Sequence, residues 1–393
     1  MKAFNERIDR LNTHSVKWDH TKAIFGKEDL LPMWVADMDF KAPQPVIDAM
    51  KQRIDHGIFG YSMATEDTKQ IVINWLKKRH NWDIQSDWIV FTPGVVPALS
   101  AAIHTYTDQN DGVMIQSPVY YPFGDMVKKN NRKLFRNSLR YNGETYEMDF
   151  EDLELQFRTN NIKLMLLCNP HNPVGRVWTK EELGKLAKLC IQYDVLVFSD
   201  DIHFDLIYKK YRHTILSSLS PEIEDRTITG IAPSKTFNLA GLQFSTIIIP
   251  NKTLRDKFSD YLATIGFFSP GSLGIIAAEA AYQHGEEWLE GLMEYLESNL
   301  DYLKNFIKEK LPQIKVIEPE GTYLVWLDCS NLNMDHKKLE SFMQDVAKLA
   351  FDEGYIFGKE GEGFERINIA CPLETLKEGL TRLEKAINKQ NVI

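Results

Sequence analysis

Short apolar runs and amphipathic stretches alternate through most of this chain. Trp88-Ile89-Val90-Phe91, Gly112-Val113-Met114-Ile115-Gln116, Lys163-Leu164-Met165-Leu166-Leu167-Cys168, Val195-Leu196-Val197-Phe198 and Thr227-Ile228-Thr229-Gly230-Ile231 read as buried strands. Helical periods lie between and around them. One helix begins near Pro45, a second spans Pro97 to Tyr106, and a third covers Lys180 to Cys190 with Thr179 as its N-cap. Strand and helix in this alternation predict a mostly parallel sheet with helices on both faces, an α/β fold. From Trp288 to about Lys310 the pattern becomes one long charged amphipathic helix, a length that suits a link between domains. Beyond it a strand over Thr322 to Leu327, a helix, and a strand over Arg366 to Ala370 predict a smaller α+β domain. Residues 1 to about 45 carry little periodicity and read as an arm. The expected divisions are an arm over 1–45, a large domain over 46–287 and a small domain over 288–393.

The composition narrows the class of protein. With 393 residues, 44% hydrophobic and 26% charged, the chain is an ordinary globular one with room for more than one domain. A formal charge of −9 argues against nucleic acid or an anionic membrane as the main partner. No apolar run approaches the roughly 20 residues that span a bilayer, and Met1 to Arg7 contain no apolar signal core. Cys168, Cys190, Cys329 and Cys371 have no metal-like spacing, so reduced thiols in the cytoplasm are expected, with no metal site.

Candidate chemistry gathers where the strands end. Lys235 follows the run Thr227 to Ile231 within Ala232-Pro233-Ser234-Lys235-Thr236-Phe237. A lysine at the end of a buried strand is poorly placed for solvation and is a candidate amine nucleophile toward a carbonyl. Asp200 stands just past a second strand, with His203 three residues on. An acid and a lysine at the ends of neighbouring strands are what pyridoxal phosphate needs, one for its ring nitrogen and one for its aldehyde. Thr92-Pro93-Gly94-Val95-Val96-Pro97 turns from a strand into a helix and can aim backbone N–H groups at a phosphate. Tyr120 offers a face for a flat heterocycle, Asn172 a side-chain donor within Asn169-Pro170-His171-Asn172-Pro173, and Arg366 a fork for a carboxylate. Each feature also has a plain structural reading: an ordinary βα turn, an Asx turn, a satisfied core histidine, aromatic packing, a surface ion pair.

Together, in the order glycine turn, aromatic, Asn-Pro, Asp, Lys, Arg, these segments resemble the aspartate aminotransferase superfamily, fold type I of the pyridoxal-phosphate enzymes, over nearly the whole chain. In detail Met33-Trp34-Val35-Ala36-Asp37-Met38-Asp39-Phe40, Phe59-Gly60-Tyr61-Ser62, Asp201-Ile202-His203 and Pro233-Ser234-Lys235-Thr236-Phe237-Asn238 resemble the PatB/MalY branch of cystathionine β-lyases. The resemblance implies a large domain built on a mixed, mostly parallel seven-stranded sheet and a small domain drawn from both termini. It implies pyridoxal 5'-phosphate as cofactor, with Lys235 as the Schiff-base lysine and Asp200 on the pyridine nitrogen. It also places Asn172 and His203 on the ring oxygen and Tyr120 on the ring face. The backbone at Val95 and Val96, with Ser234, would hold the phosphate. Arg366 and Ala36 would meet the substrate, and Tyr61 would arrive from the partner of a homodimer with shared active sites, acting on cofactor and chemistry alike. Two positions depart from the wider pattern. Ala232 and Gln243 stand where many members place a phosphate-binding Ser and Arg, so phosphate anchoring must lean on the helix N-terminus, Tyr61 and Ser234. The implied reaction is elimination from an amino-acid thioether such as cystathionine to a thiol, pyruvate and ammonia. The rivals are an aminotransferase using the same cofactor and a regulatory protein acting through protein contacts. A nicotinamide-binding domain fails for want of Gly-x-Gly-x-x-Gly after a strand.

Overall fold

A computed structural model describes residues 4–390; Met1 to Ala3, the start of the stretch read for a signal core, lie outside them. Seven strands form one sheet: β1 (Ile89–Thr92), β2 (Gly112–Ser117), β3 (Lys133–Ser138), β4 (Ile162–Cys168), β5 (Leu196–Asp200), β6 (Thr227–Ile231) and β7 (Ser245–Ile248). Their spatial order is β1-β7-β6-β5-β4-β2-β3. Every neighbouring pair is parallel except those made by β7, which runs antiparallel to both β6 and β1.

The strand period of two explains how both faces become core. Val113 and Ile115 of β2 and Leu164, Leu166 and Cys168 of β4 face one side, where α1 (Val95–Tyr106) packs. Met114, Met165 and Leu167 face the other, against α2 (Phe150–Thr159) and α3 (Lys180–Gln192). α3 starts at a reciprocal cap. Glu182 N–H donates to Thr179 Oγ1 at 3.2 Å, and the Glu182 carboxylate accepts from Thr179 N–H at 2.8 Å. A fourth helix, α4 (Lys252–Thr264), joins α1 on its side.

A second, antiparallel sheet lies C-terminal to the long helix α5 (Glu286–Lys310): β8 (Lys315–Ile317), β9 (Leu324–Asp328), β10 (Asp352–Glu353) and β11 (Phe364–Asn368), ordered β8-β9-β11-β10. α5 and the last helix, α6 (Leu373–Gln390), share a core with the beginning of the chain. Phe4 packs edge-on to Trp288, and Leu31–Pro32 pairs in parallel with Leu349–Ala350. The arm read as irregular is therefore docked on the C-terminal sheet and helices.

Candidate active site

The C-terminal ends of the parallel strands converge on one cavity of about 180 Å³. Ligands of α/β sheets gather at this edge because loops and helix N-termini open there together. Thr92 ends β1, and Pro93-Gly94 turns directly into α1, so the Val95 and Val96 N–H groups stand at the cavity as the first two of the helix. Neither has a partner among the described residues, and Pro97 at the third position has no N–H to offer. Gly230 of β6 permits this approach, since a Cβ there would lie 3.0 Å from Val95 Cγ1 and 3.3 Å from Phe198 Cζ.

Lys235 sits on a single helical turn, Pro233–Thr236, four residues past β6. Its amine keeps some exposure toward the cavity but is otherwise enclosed. Nζ donates to Ala36 O at 2.7 Å, and the buried Tyr323 hydroxyl donates to the same oxygen at 2.9 Å. Burial pulls the amine down to about 8, with Arg366 reinforcing and Asp37 and Asp200 opposing. Next to Lys235, Thr236 Oγ1 donates to buried Asp205 at 2.9 Å, which also meets His80 at 2.8 Å.

Ala36 belongs to the segment Trp34 to Asp39, laid across the cavity by ion pairs. Buried Lys17 lies 2.7 Å from Asp39, and Arg10 bridges Asp37 and Asp39, each at 2.7 Å. Asn368 Nδ2 donates to Val35 O and Asp37 O, both at 2.6 Å, and Asn238 accepts from Met38 N–H at 2.9 Å.

Asp200 is the last residue of β5, in register with Gly230. Its carboxyl is buried and accepts one bond, from Ile202 N–H at 3.2 Å. Burial pushes its pKa up to about 7, Asp201 adds to the rise, and Ile202 N–H and Lys235 oppose it. His203 also lines the cavity, and its buried Nδ1 has no partner. Burial, reinforced by Lys235 and Arg366, holds that imidazole neutral, well below its usual range. Tyr120 reaches the cavity with its backbone N–H fixed on Asn172 O at 3.0 Å. Asn172 accepts from Arg366 Nη1 at 2.8 Å, which leaves its own amide N–H groups turned to the cavity. Ser234, Ala232 and Gln243 line the cavity as well.

Two of the residues named from sequence lie off this wall. Arg366 is 3% exposed, the opposite of a surface ion pair, and lies behind Asn172. It pairs with Asp352 across the β10–β11 register, donates to Trp34 O at 3.1 Å, and keeps a buried Nε without a partner. Tyr61 is fully exposed, in a stretch where Ile58, Phe59 and Met63 are exposed too. Residues that sequence reading did not pick out include Tyr323, Lys17, Asp205 and Asp352.

This geometry can be set beside proteins already known. The family model for aminotransferase class I and II matches residues 28–383. This chain belongs to that family. Over 98% of its length it is 45% identical to cystathionine β-lyase PatB of Bacillus subtilis, all of which is covered. It is 35% identical to protein MalY of Escherichia coli, with 98% of each chain covered. The crystal structure of cystalysin from Treponema denticola, which contains a pyridoxal 5'-phosphate cofactor, superposes with a TM-score of 0.96 at 43% identity, covering 98% of this chain and 99% of the other. The family's mixed, mostly parallel sheet is the one seen here. No helix among the described residues is long and apolar enough to cross a membrane.

Proposed function

We propose that this protein is a pyridoxal-phosphate-dependent carbon–sulfur lyase. It cleaves the Cβ–S bond of amino-acid thioethers such as L-cystathionine, and with water yields a thiol, pyruvate and ammonia. The observation that carries the reading is the pairing of Lys235 and Asp200 on one cavity, in a chain whose full-length relatives include a named cystathionine β-lyase.

The unsatisfied groups of the cavity fit the cofactor. The paired N–H groups of Val95 and Val96 suit a phosphate, and Ser234 and Gln243 line the same cavity. Asn172 Nδ2 and the neutral His203 ring suit a phenolic oxygen, the Tyr120 ring suits a heterocycle face, and Asp200 suits a protonated ring nitrogen. Bound there, the cofactor supplies an aldehyde that joins an amine and a ring that withdraws electrons from the substrate's Cα. The rest is the work of the chain. Lys235, held near pKa 8, is neutral in a useful fraction at physiological pH, so its Nζ can take the Cα proton and return one to the leaving sulfur. Ala36 O, which also accepts from the Tyr323 hydroxyl, keeps that amine at the cavity between steps. Arg366, tethered by Asp352 and Asn172, orients the α-carboxylate. Exposed Tyr61 completes the site of a second copy in a cytoplasmic homodimer, where it meets phosphate and substrate. The cofactor belongs to a large domain over 46–287, with 288–393 and the arm forming a small one.

The family's own description favours one alternative, transamination. Purified enzyme with L-cystathionine separates the two. Pyruvate and thiol released without any keto-acid acceptor support the lyase; strict dependence on an acceptor overturns it.

A further inference from the structure

Beside the catalytic cavity lies a larger cleft that the chemistry above does not use. Its volume is about 550 Å³, inside the ~300–1,000 Å³ range of small-molecule sites. The catalytic cavity, about 180 Å³, is below that range, so a bulky substrate must extend out of it. The two spaces share Tyr120. Tyr121 and Phe357 line the cleft as well, and Val119 N–H donates to Phe357 O at 3.0 Å, tying the large sheet's loop to the segment between β10 and β11. The Phe357 ring also carries the Arg366 guanidinium at 4.8 Å. Phe357 thus stands between the cleft and the buried Arg366.

Its polar lining is unmatched. Lys128, Arg136 and Lys359 have no ion-pair partner among the described residues, and neither has Asp125. Glu360 accepts from the Ser138 hydroxyl with one oxygen, while its buried Oε2 has no partner. A small alkyl thiol would leave all of these groups unanswered. An end that carries both a carboxylate and an ammonium answers both signs.

We propose that this cleft binds the distal, zwitterionic end of the leaving thiol. Arg136, Lys128 and Lys359 receive its carboxylate, and Glu360 and Asp125 face its ammonium. The inference rests on the lyase reading and assigns the residues that set preference within it: thioethers whose sulfur bears a second amino-acid-like end over S-alkyl cysteines. The cysteine half sits at Lys235, and the sulfur departs past Tyr120 into the cleft.

The test uses the holoenzyme and pyruvate release from two substrates, L-cystathionine and S-methyl-L-cysteine. For Arg136→Met, and separately for Lys128→Met with Lys359→Met, KM for cystathionine should rise about tenfold with kcat within about twofold, the pattern of lost ground-state binding. S-methyl-L-cysteine kinetics should stay within about twofold, and Arg136→Lys should recover most of the loss. Equal effects on both substrates, or no effect on cystathionine, overturn the cleft assignment while leaving the lyase standing. No pyruvate from either substrate with the unaltered enzyme overturns both.

Discussion

The buried acid of the site yields a prediction whose sign depends on whether the cofactor is present. Asp200 in the cofactor-free protein is pushed by burial from 3.8 to about 7. Its folded-state pKa thus exceeds the unfolded one. The stability it confers is fully present below about pH 4 and is lost as pH rises through 7, because the unfolded chain ionises first. A shift of roughly 3 units at 1.36 kcal/mol each makes the full loss about 4 kcal/mol by pH 8. Asp200→Asn removes the titration yet keeps an oxygen to accept from Ile202 N–H. The cofactor-free variant should therefore be more stable than the parent at pH 8 by up to about 4 kcal/mol. At pH 5, where most of the penalty is still to come, the gain should shrink to less than half. With unfolding entropy of ~2.1 cal/mol/K per residue over this length, the pH 8 gain corresponds to a Tm increase of about 5 °C. Scanning calorimetry of both proteins, stripped of cofactor, at pH 5 and 8 reads it directly. When the cofactor is bound the sign reverses, since Asn cannot hold a protonated ring nitrogen, so the variant should bind the cofactor more weakly. A cofactor-free variant less stable than the parent at pH 8, or equally stabilised at both pH values, would refute the desolvation argument.

Lys235→Met makes the complementary case. Its amine falls from 10.5 to about 8 on folding, so the cost of keeping it charged is present below pH 8 and vanishes above 10.5. The cofactor-free variant should gain about 3 kcal/mol at pH 7, lose the borohydride-fixed cofactor mass on the peptide containing residue 235, and lose lyase activity by ~10²–10⁴-fold; retention of that mass on the same peptide would contradict the assignment. Lys17→Met leaves Asp39 buried with Arg10 and Trp18 as its remaining partners. That places the loss near the low end for a broken buried pair, about 3 kcal/mol, measured by urea unfolding at pH 7, and a loss under about 1 kcal/mol would show that the segment over the cavity is held by its other bonds.

What could be read from sequence follows a physical divide. Strands covered on both faces announce themselves: after Lys163, β4 is an unbroken apolar run, and β6 carries only small or β-branched residues, all buried. β3 did not, because it lies at the sheet edge with Lys133, Arg136 and Ser138 exposed. β7 has only four residues and reverses direction, so neither length nor alternation with helices marks it. The same divide runs through the site. Asp200, Asn172, Tyr120 and Lys235 were legible because each lies at or just past a strand's end, which fixes where the side chain goes. Partners set by tertiary register were not legible. Asp352 meets Arg366 only through the β10–β11 pairing, and Lys17 meets Asp39 only once the arm has folded back. The bond that holds the Lys235 amine goes to a backbone carbonyl 199 residues away, at Ala36, which any residue type would supply. The local motif therefore marks the lysine, but the field that tunes it is assembled by Asp37, Arg366 and Asp200 from three separate stretches of chain. It follows that substitutions far from Lys235 in sequence, on the arm above all, should alter the amine's titration without touching any residue that the local motif contains.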